Sequence, residues 1–159
     1  MRKVFHAPPR ITARFQAYNH RLWSFTGGYH SGLDMVPTAG SWDLLSVIDG
    51  QVNSITPNGT GLGRTVQVYS RALGLAVRYA HLASVTVKPG KIVSVGDNLG
   101  VMGGSGHGKE DAFAPHVHID CFFTKPTGER SGIINGSTWR NPWGYVDPEA
   151  VFRLLGVML

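Results

Sequence analysis

Apolar and polar residues alternate along most of this chain in short runs, and glycine, proline, asparagine or aspartate separates one run from the next. Alternation with a period of two marks a strand with one buried face. Leu44 to Ile48 is apolar and closes on the turn signal Asp49-Gly50, and Gln51-Val52-Asn53-Ser54-Ile55 follows as a further strand. Arg64 to Tyr69 puts Val66 and Val68 on one face. Leu75, Val77, Tyr79 and His81 alternate against Ala76, Arg78, Ala80 and Leu82, so His81 is expected to end its strand on the face of Tyr79. Pro89-Gly90 and Gly96-Asp97 are turns around Ile92, Val93 and Val95. Leu99, Val101 and Met102 begin a strand that dissolves into Gly103-Gly104-Ser105-Gly106-His107-Gly108, and this loop runs into Pro115 to Phe123. Thr56 to Gly63 reads as a flexible loop. Helix is scarce. Asp147 to Gly156 is the good candidate, with Asp147 to cap, Pro148 in the first turn and Gly156 to terminate. The expected fold class is therefore mainly β with few short helices. Residues 1–159 read as one domain, because Thr124 to Gly136 is a polar connector rather than a domain linker.

The period of two also organises the candidate chemistry. In His116-Val117-His118-Ile119-Asp120-Cys121, Val117, Ile119 and Cys121 can face a core while His116, His118 and Asp120 face the other way. Two imidazoles side by side suit metal binding, or one metal ligand beside one acid/base. Upstream, Tyr29-His30-Ser31-Gly32-Leu33-Asp34 offers a second imidazole and a carboxylate, and Gly32 argues for a loop entering a strand rather than a helix. A catalytic zinc commonly takes three protein ligands and keeps a position for water. His30, Asp34 and His118 would supply such a set. His116 and His81 are then candidates for the proton acceptor and the oxyanion donor that hydrolysis also needs. Each piece alone carries little, since a lone histidine is more often structural. The joint occurrence at three strand ends is what points to a metal site. His107 sits in the glycine loop with no assigned role, and His6 and His20 have no motif context. Trp23, Phe25 and Tyr29 read as core packing in preference to groove lining, and Tyr79 likewise as a packing residue. Asn19 and His20 precede the site in a loop that could lend a further ligand, without any spacing to support it.

These motifs, in this order, resemble the lysostaphin-type (LytM-like) zinc endopeptidases. The resemblance rests on His30-Ser31-Gly32-Leu33-Asp34, on Tyr79-Ala80-His81-Leu82, and on Gly103-Gly104-Ser105-Gly106 ahead of His116-Val117-His118. Val87 to Gly100, Asn141-Pro142 and Val146-Asp147-Pro148 extend it, so that it covers about Gly28 to Pro148, with the helix at 147–156 as a C-terminal extension. It implies an antiparallel β-sheet core with a groove walled by loops. It implies zinc bound by His30, Asp34 and His118, with His116 as general base and His81 stabilising the oxyanion or sharing the base role. The implied substrate is a peptide cross-link or stem of bacterial peptidoglycan. Two departures bear on substrate preference. The passage Ala112 to Pro115 is longer than usual, with Phe113 placed to line the groove, and Thr124 to Trp143 looks like an addition.

Composition narrows the alternatives. With 159 residues, 42% hydrophobic and 16% charged, the chain is long and apolar enough to fold around a core of its own. A net charge of +5 favours polyanionic partners, among them wall polymers. The basic residues are scattered, and Trp23, Trp42, Trp139 and Trp143 are dispersed, which argues against a nucleic-acid surface. The one cysteine, Cys121, cannot form an internal disulfide and falls at an apolar-facing position, as a buried thiol does. No apolar run approaches the ~20 residues of a membrane span, so stable membrane insertion is not expected. The N-terminus, Met1 to Pro9, is basic but lacks a signal-peptide apolar stretch. Action on the wall would then suit a phage lysin, released at lysis or carried by the virion, or a mature secreted enzyme, acting as a monomer. A non-catalytic LytM-like wall-binding or regulatory module is the alternative, and the presence of all five site residues weighs against it. A cupin-like site would need a nearby carboxylate and a later histidine, whereas the next glutamate is Glu129 and no histidine follows His118.

Overall fold

The computed structural model describes residues 1–125 and 144–159. In chain order the strands are β1 (Arg2–Lys3), β2 (Pro9–Ala13), β3 (Leu33–Pro37), β4 (Asp43–Leu45), β5 (Gly50–Thr56), β6 (Thr65–Ser70), β7 (Leu75–Ala80), β8 (Leu82–Val85), β9 (Ile92–Val93), β10 (Asn98–Met102), β11 (Val117–Phe123) and β12 (Val157–Met158). The helix α1 (Pro148–Leu155) and a 3-10 turn at Ser24–Thr26 complete the described elements. Seven strands form one sheet in the order β2-β3-β11-β7-β6-β5-β9, with every neighbouring pair antiparallel. β4, β10 and β8 form a second antiparallel sheet, and β1 pairs with β12 in parallel, bringing the two ends of the chain together.

The Asp49-Gly50 turn therefore does not close a hairpin. β4 belongs to the small sheet and β5, which begins at Gly50, to the large one, and the chain bends between them at Val47 and Ile48. The apolar faces of both sheets meet in one core. Leu33, Met35, Val66, Val68, Val77, Tyr79, Val117, Ile119 and Cys121 come from the large sheet, and Leu44, Leu82, Leu99 and Met102 from the small one. Phe152 closes it from α1. The helix forms where its signals stand: Asp147 accepts a hydrogen bond from the Glu149 amide at 2.9 Å, and Gly156 ends it in the left-handed region at φ 68°. Cys121 is fully buried, and that burial pushes its thiol well above the usual range. No helix among the described residues is long and apolar enough to cross a membrane.

The core fixes the direction of β11. Each of Val117 and Ile119 is wholly buried, worth about 1.5–3 kcal/mol per side chain. A one-residue slip would exchange them with His116 and His118, so the apolar residues hold the histidines on the opposite face. Register does the rest: His118 stands directly across from Asp34 of β3 and Ala80 of β7.

Two loops wall this face, and they are fastened to each other. The His107 amide donates to the Thr60 carbonyl at 2.7 Å, and Asn58 Nδ2 donates to the Lys109 carbonyl at 2.9 Å. Arg64 donates to both Glu110 oxygens, at 3.0 and 2.8 Å, and to the Leu82 and Ala83 carbonyls. The reading of Thr56 to Gly63 as flexible thus gives way to a hydrogen-bonded wall. The glycines at 104 and 106 serve close approach: a Cβ there would stand 2.1 Å from the Phe113 carbonyl oxygen and 2.4 Å from its ring. The proposed addition from Thr124 to Trp143, with Glu129, Trp139 and Asn141-Pro142, lies outside the described residues from position 126 onward.

Candidate metal centre and cleft

His30, Asp34 and His118 converge. His30 Nε2 is 3.0 Å from Asp34 Oδ1 and 3.0 Å from His118 Nδ1, and His118 Nδ1 is 2.9 Å from the same Asp34 oxygen. His30 is brought there by a pairing of its own segment with residues 16–18: its amide donates to Ala17, its carbonyl accepts from Gln16, and Tyr29 bridges Tyr18. His30 Nδ1 donates to the Arg14 carbonyl at 2.9 Å, which leaves the lone pair on Nε2. Asp34 and His118 meet because they are cross-strand neighbours on one face.

Gly32 makes the approach possible. A Cβ at this position would lie 2.3 Å from the Ile119 carbonyl oxygen and 2.7 Å from His118 Nε2. Backbone on one side and a buried ring on the other leave it nowhere to go. Gly32→Ala is expected to destabilise the fold by about 1–3 kcal/mol, the usual cost of overpacking, and to displace His118. Thermal unfolding with and without zinc checks it; an alanine variant as stable as the parent and equally stabilised by the metal would contradict the steric account.

The charge state of the cluster suits a cation. Burial opposes ionisation of Asp34, but the hydrogen bond from His118 and the neighbouring His30 ring outweigh it and hold the carboxyl far below the usual carboxylate range. Burial likewise opposes a charged His118, yet Asp120 and Asp34 raise it to about 9. Three lone-pair atoms within 3.0 Å of one another need a positive charge among them. In the metal-free protein that charge is a proton on His118; a divalent ion would take its place and release it. Two imidazole nitrogens and a carboxylate oxygen are a donor set suited to zinc, and these residues could hold a metal ion.

His116 and His81 border this triangle. His116 Nε2 is 3.8 Å from Asp34 Oδ2, and its Nδ1 donates to the Ala114 carbonyl at 2.7 Å. His81 lies with its ring centroid 4.6 Å from that of His116 and 6.0 Å from that of His118, and its Nδ1 donates to the Ser105 carbonyl at 2.9 Å. Each ring is therefore pinned at Nδ1 and leaves Nε2 as an acceptor. Burial, then His116 and His118, push His81 down to about 3, so it is neutral at ordinary pH.

The expectation that His81 shares the face of Tyr79 is corrected. Tyr79 is wholly buried, and its hydroxyl accepts from the Val47 amide at 3.0 Å. His81 adopts φ 64°, which breaks the alternation just where the chain leaves the large sheet for the small one. The ring turns to the cleft while Leu82 returns to the core. A left-handed non-glycine residue costs about 1–2 kcal/mol, and the amides of His81 and Leu82 are held by the Leu62 and Arg64 carbonyls at 3.0 Å each.

Asp120 and Arg78 carry a part of the site that received no role from the sequence. Asp120 is wholly buried; its Oδ2 accepts from Arg78 Nε at 3.1 Å and Nη2 at 2.6 Å, and stands 3.6 Å from His118 Nε2. Arg78 Nη2 also donates to the Tyr145 hydroxyl at 2.9 Å. Burial would raise the Asp120 carboxyl, but Arg78 outweighs it and holds it low. This anion behind His118 favours a proton on Nε2 and so turns the Nδ1 lone pair toward the site. The signal available was spacing: Asp120 lies two residues past His118 and faces the same way.

A cleft of about 510 Å³ opens over these groups. Phe113 lines it as expected, and so does Trp23, whose ring stacks on His30 at 4.7 Å and 27°. The core-packing reading of Trp23 is thus corrected: stacking on the His30 ring gives the indole apolar cover at the cleft wall. Asn19 turns inward on its own loop, accepting from the amides of Arg21 and Leu22 at 3.1 and 3.2 Å. The side chain of Phe25 lies outside the described residues.

The model for peptidase family M23 matches residues 28–127. Among solved structures, the catalytic domain of the antimicrobial peptidase lysostaphin from Staphylococcus simulans is 19% identical with a TM-score of 0.67, covering 91% of this chain and 92% of that one. A zinc-containing peptidase from Vibrio cholerae is 24% identical with a TM-score of 0.60; the match covers 76% of this chain but 35% of that one, so this chain corresponds to about a third of its length. A catalytic-domain variant of the prophage-encoded M23 protein EnpA from Enterococcus faecalis is 23% identical with a TM-score of 0.60, covering 84% and 93%. At these identities the structures establish a shared fold.

Proposed function

This chain belongs to peptidase family M23, and we propose that it is a zinc-dependent endopeptidase hydrolysing peptide bonds in the cross-links or stems of bacterial peptidoglycan, with residues 1–159 as its catalytic domain. The observation that carries this reading is the convergence of His30 Nε2, Asp34 Oδ1 and His118 Nδ1 at 2.9–3.0 Å on the floor of an open cleft, with two further histidines at its edge. The wall substrate is supported by the resemblance to lysostaphin-type enzymes, and the net charge of +5 favours encounter with anionic wall polymers.

A zinc ion held by His30, Asp34 and His118 supplies Lewis acidity, lowering the pKa of water to about 7 and polarising a peptide carbonyl. His116 accepts a proton from the attacking water at Nε2, the nitrogen its bond to Ala114 leaves available. The water oxygen bonds to the carbonyl carbon, the C–N bond breaks, and the proton passes to the leaving amine. His81 starts as a neutral acceptor, because its one N–H is spent on Ser105. It becomes a donor to the oxyanion only after taking up a proton. Held at about 3, the ring is also a weak base, so at rest it orients the water through its Nε2 lone pair and leaves the proton to His116. Trp23 and Phe113 keep the cleft walls apolar, which strengthens charge interactions inside it.

Peptidoglycans of different cross-link type, incubated with the protein and read by mass spectrometry, test this function. New amino termini are expected with the zinc-loaded protein, none after chelation, and recovery on adding zinc back. Zinc-free protein that releases no fragments under any condition would favour the regulatory alternative, and release insensitive to chelation would overturn the metal mechanism.

A further inference from the structure

The cleft has one charge to spare. Apart from its histidines, Arg10 and Asp34 are its only charged lining residues among those described, and Asp34 is engaged by His30 and His118. Arg10 is exposed and has no acceptor among the described residues. Five other arginines are engaged: Arg2 by the Leu155 carbonyl, Arg14 and Arg153 by Glu149, Arg64 by Glu110 and Arg78 by Asp120.

Its position is set by the edge of the large sheet. Arg10 of β2 pairs with Val36 of β3, two residues past Asp34, and the register shifts between Ile11 and Ala13. Thr12, two residues further along and on the same strand face, also lines the cleft. Strand geometry puts the backbone of Arg10 roughly 8 Å from that of Asp34, the span of about two residues of extended peptide. A substrate with its reacting carbonyl at the metal centre and its chain crossing β3 would bring a residue about two positions from the scissile bond over Arg10 and Thr12. A free guanidinium beside a hydroxyl is suited to a carboxylate.

We propose that Arg10, with Thr12, forms a subsite for a substrate carboxylate about two residues from the scissile bond. The inference rests on the endopeptidase reading above and deepens it: the preferred substrate is an acidic stem peptide, not a neutral oligoglycine bridge.

Binding, rather than cleavage, tests this. The probes are an acetylated L-alanyl-γ-D-glutamyl-L-lysine peptide with a free glutamyl α-carboxylate and the same peptide with that group as carboxamide. Each is titrated by NMR into the zinc-loaded parent protein, Arg10→Gln and Arg10→Lys. The parent is expected to bind the carboxylate about tenfold more tightly than the carboxamide, a gap that narrows as salt rises. Arg10→Gln should erase the preference while leaving carboxamide affinity unchanged, and Arg10→Lys should retain part of it. No binding, no preference in the parent, or an equal loss for both peptides in Arg10→Gln would overturn the subsite. A clear preference in a protein that cleaves no wall would instead leave the subsite standing and sink the endopeptidase reading.

Discussion

Replacing His118 by alanine is expected to empty the metal centre and to stop release of wall fragments. Its Nδ1 is one vertex of the ligand triangle, 3.0 Å from His30 Nε2 and 2.9 Å from Asp34 Oδ1. Without it, one imidazole and one carboxylate remain, short of the three protein ligands a catalytic zinc commonly takes. Zinc measured after dialysis should fall from about one per chain to near zero, and fragment release below detection. The fold should survive, because Val117 and Ile119 stay in the core on either side of the substitution. Circular dichroism checks that point. A folded His118→Ala protein with undiminished cleavage would sink the ligand assignment.

His116→Ala is expected to separate metal binding from catalysis. His116 Nε2 sits 3.8 Å from the outer oxygen of Asp34, outside the ligand triangle, and the ring is half-open to the cleft. Zinc content should therefore be unchanged, while kcat falls by roughly 100- to 10,000-fold, the range for loss of a general base. His81 lies beside it, but burial holds that ring at about 3 and makes it a poor substitute for the lost base, so the loss should sit toward the larger end. Loss of zinc in this variant would move His116 into the ligand set; an unchanged kcat would remove it from the proton path.

The strands and the helix were legible because their signals are local. Alternation located β6, β7, β10 and β11, and the same alternation separated Val117 and Ile119 from His116 and His118. The Asp147 and Gly156 signals bounded α1. The resemblance to lysostaphin-type enzymes then joined motifs that spacing alone left as separate pieces. What alternation missed lies at its interruptions. His81 follows a strand pattern up to a left-handed residue that turns it around. Arg10 and Thr12 belong to an edge strand with an irregular register, in a segment with no clear pattern. Trp23 reads as core because an apolar residue reads alike whether it faces other apolar groups or the ring of His30.

Sequence by itself determined that this chain is mainly β, that His116, His118 and Asp120 share one strand face, and that His30 and Asp34 enter a strand from a loop. These follow from the fixed geometry of a few consecutive residues. Tertiary structure decided which groups meet. Asp34 and His118 are 84 positions apart, and their contact depends on cross-strand register, set by burial of Leu33, Met35, Val117 and Ile119 in a common core. The same register puts Arg78 behind Asp120 and demands a glycine at position 32. It also opens the cleft toward Arg10 on the edge strand. The period of two excludes a one-residue slip but leaves slips of two residues open, because one strand face can be paired in many ways and only the collective packing of the core chooses among them.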